Sequence, residues 1–131
     1  MYRTFYVFLC REVKEECGLD VDAENLEKVA EIDFEFLNDP VVLHVHVFKS
    51  KKFSGEVAET EEMLPKWFPA DDCPFEQMWP DDKIWYPIYR HGQKFKAYFL
   101  FRGQTEILSY YIRDFYDSSK IITQLKLKQS I

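Results

Sequence analysis

The strongest constraint on the fold is an alternating stretch over residues 31–49, which reads EIDFEFLNDPVVLHVHVFK. Ile32, Phe34 and Phe36 occupy every second position of its first half, and acidic residues stand between them. Period-two alternation places successive side chains on opposite faces of a β-strand. The Asn-Asp-Pro sequence at 38–40 is a turn signal, and a second apolar run follows it. The sequence therefore predicts a β-hairpin that turns at residues 38–40.

A helical period precedes this hairpin. Leu9 and Val13 lie four residues apart within the segment from about Tyr6 to Cys17, which is the spacing of one helix face. Gly18 follows directly and is a helix-stop signal, because the residue after a helix often needs a positive φ. We predict a helix that ends at this glycine.

The second half of the chain contains further elements. We predict a short strand near PKWFP at 65–69, a helix that begins near Asp81 and is broken or kinked by Pro87, and two strands on either side of Gly103. The tail from Asp117 is polar and carries lysines, so we expect a loosely held extension there. With more strand than helix, the predicted class is α+β.

Composition sets limits on function. A chain of 131 residues, 47% hydrophobic and 18% aromatic, can bury a core as one domain. The formal charge of −6 argues against a surface for duplex nucleic acid, which needs a basic patch. Three cysteines without CxxC spacing indicate free thiols in a reducing compartment. The sequence contains no run of about 18 apolar residues, so it predicts no membrane-spanning helix.

The segment REVKEECGL at 11–19 concentrates acidic residues on the predicted helix. Glu12, Glu15 and Glu16 are spaced by three and four residues, so their carboxylates can converge on one edge. Like charges at this spacing cost about 0.2–0.5 kcal/mol per pair, and Arg11 offsets part of that cost. A divalent cation would turn the repulsion into attraction, since Mg²⁺ accepts oxygen ligands. From the spacing alone, a metal site and a solvated acidic face both stay open.

The segment MWPDD at 78–82 is a second candidate site. Trp79 can stack on a purine, an interaction worth about 1–3 kcal/mol. Two adjacent carboxyls in a closed pocket cannot both ionise cheaply, so we expect one of the two aspartates, Asp81 or Asp82, to have a raised pKa. The protonated carboxyl would then donate a hydrogen bond while its neighbour accepts one. The alternative is that the aspartates cap the following helix.

His44 and His46 alternate along one strand face and could bind a transition metal. No cysteine or carboxylate is obviously placed in the sequence to complete such a shell. We therefore favour ordinary strand positions for both histidines.

REVKEECGL resembles the second half of the Nudix box, G-x5-E-x7-R-E-U-x-E-E-x-G-U, in which U is a bulky aliphatic residue. The segments EEMLPKWF, CPFEQMWPDD, KFKAYFLFRG and EILSYYIRDF resemble, in order and spacing, the animal oxidized purine nucleoside triphosphate hydrolases, which are MutT-like enzymes. The resemblance runs from Arg11 to about Phe115. It implies a Nudix fold, a mixed sheet packed with helices.

The resemblance also implies an activity and a set of site residues. The activity is metal-dependent hydrolysis of oxidised purine nucleoside triphosphates, of the 8-oxo-dGTP and 2-hydroxy-dATP type, to the monophosphate and pyrophosphate, which sanitises the nucleotide pool. It implies Mg²⁺, with Mn²⁺ as a substitute, held by Glu12, Glu15, Glu16 and Glu62. Glu61 competes with Glu62 for the last position. Catalysis would rest on Glu15, Glu16 and Arg11, and substrate binding on Trp79, Pro80, Asp81, Asp82, Phe34 and Leu43.

The sequence departs from the family before the helix. The first Glu of the box would fall on Arg3, and the opening Gly would lie before Met1. We therefore expect an atypical N-terminal segment at 1–10, a partial Nudix domain at 11–116 that lacks the N-terminal strands and the glycine-rich loop, and a C-terminal extension at 117–131.

Two other functions stay open: a catalytically impaired nucleotide-binding fragment, and a Nudix hydrolase of another nucleoside diphosphate derivative. The resemblance implies an oxidised purine nucleotide as the partner, no nucleic acid polymer, no membrane and a monomer. It implies a cytoplasmic location, with mitochondria and nucleus as further compartments.

Overall fold

The computed structural model describes residues 2–61 and 65–126, with the side chains of the first helix described from Leu9 onward. In chain order the elements are α1 (Tyr2–Cys17), a 3-10 turn (Ala23–Asn25), β1 (Glu27–Phe36), β2 (Val42–Lys49), a 3-10 turn (Phe75–Gln77), α2 (Asp82–Arg90), β3 (Phe95–Arg102), β4 (Glu106–Asp114) and β5 (Ile121–Leu125). The strands form one sheet in the order β2-β1-β3-β4-β5. β1 runs parallel to β3, whereas β4 is antiparallel to β3 and to β5. This mixed sheet with helices confirms the α+β class.

The chain divides into two compact units: residues 1–28 with 48–73, and residues 29–47 with 74–131. In the first unit, α1 ends at Gly18, whose φ of 85° is in the left-handed region that favours glycine. The Gly18 N–H donates to the Lys14 carbonyl at 3.0 Å, and the Ala58 N–H donates to the Cys17 carbonyl at 2.8 Å. The Thr60 hydroxyl donates to the Glu16 carbonyl at 2.9 Å. These bonds satisfy carbonyls that the end of a helix leaves open.

The second unit contains a buried apolar core. β3 buries every second residue, because alternate side chains of a strand point to the same face. Parallel pairing with β1 brings Phe34 beside Phe99 and Phe36 beside Phe101, and the two ring pairs lie 5.9 and 5.6 Å apart. The buried apolar residues are Val29, Ala30, Ile32, Phe95, Ala97, Phe99, Phe101 and Ile112.

The predicted hairpin is confirmed, since β1 and β2 are neighbours in the sheet and the chain turns between them. Asn38 in this turn has a φ of 66°, which asparagine tolerates better than most residues. α1 begins earlier than predicted, at Tyr2. The sequence before Tyr6 contains no Gly or Pro that would stop a helix.

Two predictions are wrong. Residues 65–69 form no strand, because Pro65 and Pro69 lack the N–H that a sheet ladder needs. The tail is not loosely held over its described part, since Ile121–Leu125 pairs with β4 and Ile122 packs against the core. Residues 127–131 lie outside the described residues.

The helix predicted near Asp81 is confirmed as α2, but Pro87 does not break it. Pro87 lies inside the helix, which continues to Arg90. The His91 N–H then donates to the Pro87 carbonyl at 3.1 Å. Among the described residues, neither helix combines the length and the hydrophobicity that a bilayer crossing would need.

Candidate functional site

A cavity of about 220 Å³ lies within the second unit, and its lining consists of Phe34, Phe36, Leu43, Val45, Trp79, Asp81 and Asp82. Two neighbouring strands supply the apolar wall. The alternation of side chains along each strand turns Phe34, Phe36, Leu43 and Val45 to one face of the hairpin. Trp79 is 48% exposed and forms edge-to-face contacts with Phe36 and Phe101 at ring distances of 6.3 and 5.9 Å. An aromatic and aliphatic wall of this kind can take a flat ring system.

The polar end of the cavity consists of two adjacent carboxyls. Asp81 is 2% exposed, and its Oδ2 accepts a hydrogen bond from the Trp85 Nε1–H at 2.9 Å. Its Oδ1 is buried and accepts no hydrogen bond from any residue that the structure describes. Burial raises the pKa of Asp81. Burial, together with the charge of Asp81, raises the pKa of Asp82 from 3.8 to about 6.

The helix-cap alternative for these aspartates is wrong. Asp81 stands directly before α2, but its φ of −71° and ψ of −26° are helical and its side chain makes no capping bond. A capping residue has an extended backbone and accepts from the first turn through its side chain. The carboxyl of Asp81 is bonded to Trp85 instead, so it is held at the cavity.

The other predicted substrate residues differ in position. Phe34, Leu43 and Trp79 line the cavity. Pro80 is half-buried and lines a neighbouring surface cavity with Met78.

The acidic residues of α1 lie in the first unit. Arg11 Nε is 4.0 Å from Glu15 Oε1, with side chains 63% and 61% exposed. An exposed pair at this distance contributes little to stability. Glu12 and Glu16 are half-buried. Glu62 lies outside the described residues, and its competitor Glu61 is exposed.

Within the described ranges, one group of three metal-ligating side chains has its ligand atoms within 4.8 Å of one another: Glu31, His44 and His46. The glutamates of α1 are therefore not gathered around one point. Glu31 was not predicted from the sequence as a ligand. The signal was available, because the predicted hairpin brings the acidic face of β1 beside the histidine face of β2.

Two further residues that line the cavity, and one that holds Asp81 there, were not predicted as site residues from the sequence. Phe36 and Val45 belong to the same alternating faces as Phe34 and Leu43, and the period of two could have added them. Trp85 stands four residues after Asp81, which is the spacing of neighbours on one helix face.

No known family profile matches the chain. It is 44% identical over 104 residues to the oxidized purine nucleoside triphosphate hydrolase of Mus musculus, across 79% of this chain and 65% of that protein. It is 42% identical over 100 residues to the protein of the same description from Danio rerio, across 76% of this chain and 63% of that protein. The chain thus spans slightly less than two thirds of these relatives.

The structure is similar to that of the mutator protein MutT from Bacillus halodurans, with a TM-score of 0.70 and 21% identity over 79% of this chain and 69% of that one. The expected Nudix-type fold is therefore confirmed.

Proposed function

Since this chain is a relative of the oxidized purine nucleoside triphosphate hydrolases and has the fold of MutT, we propose that it hydrolyses oxidised purine nucleoside triphosphates. The substrates would be of the 8-oxo-dGTP and 2-hydroxy-dATP type, and the products the monophosphate and pyrophosphate. The observation that carries the proposal is the pair of carboxyls with raised pKa at the end of an aromatic cavity. The compartment we propose is the cytoplasm, with mitochondria and nucleus as further sites.

The cavity residues would bind the base. Trp79 and the Phe rings of β1 present faces and edges to a purine, and such stacking contributes about 1–3 kcal/mol per base. The Trp85 bond holds Asp81 in one orientation, and its open Oδ1 can accept a hydrogen bond from the base. Purine oxidation changes the donor and acceptor pattern of the ring, so polar groups at the end of the cavity can discriminate oxidised from ordinary bases.

Asp82 supplies the donor in this arrangement. With a pKa of about 6, its carboxyl is half protonated at that pH, where an ordinary aspartate has lost its proton. When the two carboxyls share one proton, the pair offers one donor and one acceptor to the same ring edge. This is the division of roles that two coupled carboxyls adopt in enzymes that need both forms.

The acidic residues of α1 fit a divalent cation by their donor type. Glu12, Glu15 and Glu16, with Glu62 as the proposed fourth ligand, all offer carboxylate oxygens, which Mg²⁺ and Mn²⁺ prefer. A bound cation would neutralise phosphate charge and lower the pKa of its bound water. Arg11, close to Glu15, would hold that carboxylate in position.

A second function, nucleotide binding without hydrolysis, is favoured by one observation. The cavity is formed by packed side chains, whereas the glutamates of α1 are not gathered around one point. In this case the base would bind while the phosphates stayed intact.

Pyrophosphate release from 8-oxo-dGTP by the full chain, with and without Mg²⁺, separates the two functions. Hydrolysis predicts release that needs the metal. Binding alone predicts no release, together with calorimetric binding of 8-oxo-dGMP. If neither release nor binding occurs with folded protein, both functions are wrong. If Asp81→Asn leaves base preference unchanged in an active enzyme, the substrate is another nucleoside diphosphate derivative.

A further inference from the structure

Two histidines and a glutamate meet on the face of β1 and β2 that is turned away from the cavity. His46 Nδ1 lies 3.5 Å and His44 Nε2 lies 3.8 Å from the same oxygen, Glu31 Oε1. The two imidazole rings are 4.7 Å apart and nearly perpendicular, at 89°. Three different ligating atoms thus point at one small volume.

These separations match the size of a zinc site. In a tetrahedral site with bonds of about 2.0–2.2 Å, neighbouring ligand atoms lie roughly 3.3–3.6 Å apart. The Glu31–His46 separation is already in that range, and the Glu31–His44 separation exceeds it by a few tenths of an ångström. All three ligand atoms lie within 4.8 Å of one another, so the two histidines must close on a metal by a modest movement of their side chains. Two imidazoles and one carboxylate, with a water as the fourth ligand, form a known type of zinc coordination.

Asp33 supports the orientation of His44. Its Oδ1 forms a short hydrogen bond with His44 Nδ1. An ionised carboxylate can only accept a hydrogen bond, so the proton of this bond is on Nδ1 of His44. In a neutral imidazole the other nitrogen, Nε2, then has a lone pair, and this lone pair faces Glu31. A carboxylate on the far nitrogen of a ligating histidine is the usual outer partner of a zinc site.

Two further neighbours of the cluster contact atoms other than the three candidate ligand atoms. Lys96 Nζ lies 3.2 Å from Glu31 Oε2, so it contacts the oxygen that does not face the histidines. Glu35, the next acidic residue on this face, accepts a short bond from the Tyr98 hydroxyl. The side chain of Glu31 is 17% exposed, that of His46 32% and that of His44 51%, so a metal there would be shielded from water on the Glu31 and His46 side and open to it on the His44 side.

We propose that Glu31, His44 and His46 bind one Zn²⁺ ion, with Asp33 as the outer partner of His44. The site is separate from the carboxylate set of α1, because imidazole nitrogen selects transition metals whereas an all-carboxylate set selects Mg²⁺ or Mn²⁺. The ion would join β1 to β2 behind the wall of the base cavity. The alternative occupant of the cluster is a proton, shared between a charged histidine and Glu31.

Isothermal calorimetry of the full chain with Zn²⁺, in excess Mg²⁺ to occupy the carboxylates of α1, tests the site. We expect one Zn²⁺ per chain. His46→Gln should weaken binding by more than about 100-fold, and Asp33→Asn by about 10–100-fold, the effect of losing an outer partner. His91→Gln is the matched control and should leave binding unchanged, because His91 is an exposed residue after α2.

Nitrogen-15 NMR of the histidine rings gives a second readout that does not depend on activity. The chain has three histidines, and Zn²⁺ should shift the ring nitrogens of His44 and His46 but not those of His91. Zinc binding that His44→Gln and His46→Gln leave unchanged would contradict the proposal. The absence of any Zn²⁺ uptake by folded protein would also contradict the proposal. In that case the cluster holds only a proton.

Discussion

The cavity proposed to bind the base and the acidic face of α1 are built in opposite ways. The cavity is formed by apolar side chains that two strands and a loop pack together, and its aspartates have raised pKa values because they are buried. The acids of α1 are half-buried or exposed, and their repulsion works against convergence. Packing can therefore preform a site for a base, whereas a site for phosphates and metal depends on the charge of what binds.

The largest expected effect concerns the acidic face alone. Glu16→Gln should lower kcat for 8-oxo-dGTP by about 100- to 1,000-fold, because losing a ligand removes several kcal/mol of transition-state stabilisation. Binding of 8-oxo-dGMP should stay unchanged. Pyrophosphate release and calorimetry measure the two quantities, and Glu24→Gln, an exposed acid outside α1, is the control. Equal loss in both variants would contradict the role of Glu16.

The next effect concerns the cavity. Asp81→Asn should reduce the preference for 8-oxo-dGTP over dGTP by about 10- to 100-fold, the value of a hydrogen bond to a charged group. The ratio of kcat/KM for the two nucleotides measures this preference. Asp72→Asn changes an exposed aspartate that also has an aspartate neighbour, and it should leave the ratio as it is.

Loss of stacking should be of similar size or smaller. Trp79→Leu should weaken binding of 8-oxo-dGMP by about 5- to 100-fold, since base stacking contributes about 1–3 kcal/mol. Trp67→Leu replaces an exposed tryptophan of the first unit, 62% exposed, and should have no effect on this affinity. If both variants bind as the wild type does, the base does not bind against Trp79.

The smallest effect is a dependence of stability on pH. The folded state holds the Asp82 proton more tightly than the unfolded chain, with pKa values of about 6 and 3.8. Asp82 should therefore destabilise the fold as the pH rises from about 4 to about 6, with the full penalty above that range. Asp82→Asn should remove the penalty and raise stability at pH 8 by about 1 kcal/mol, after allowance for solvent screening of a half-buried group. Thermal melts at pH 4 and 8 measure this, and an unchanged pH profile would contradict the raised pKa.

Local sequence patterns predicted the parts of the fold that depend on local spacing. The alternation around Phe34 was enough for the hairpin, and Gly18 for the end of α1. β5 was missed because a run of five residues pairs only when β4 offers an edge, which the local sequence does not reveal.

The candidate sites follow the same rule. Asp81 and Asp82 were predicted from a short motif. The burial that raises their pKa values comes from the packing of the fold around that motif. The partnership of Glu31 with two histidines depends on the pairing of strands, since Glu31 lies on a different strand from both. Trp85 became visible as a partner of Asp81 only with the helix in place.

The most direct test of the central claim is a competition in one vessel. The full chain with Mg²⁺ receives equal concentrations of 8-oxo-dGTP and dGTP, and chromatography follows both nucleotides and their monophosphates. We predict that 8-oxo-dGTP disappears first, with 8-oxo-dGMP and pyrophosphate as its products. Consumption of both nucleotides at the same rate, or an intact oxidised nucleotide, would contradict the account.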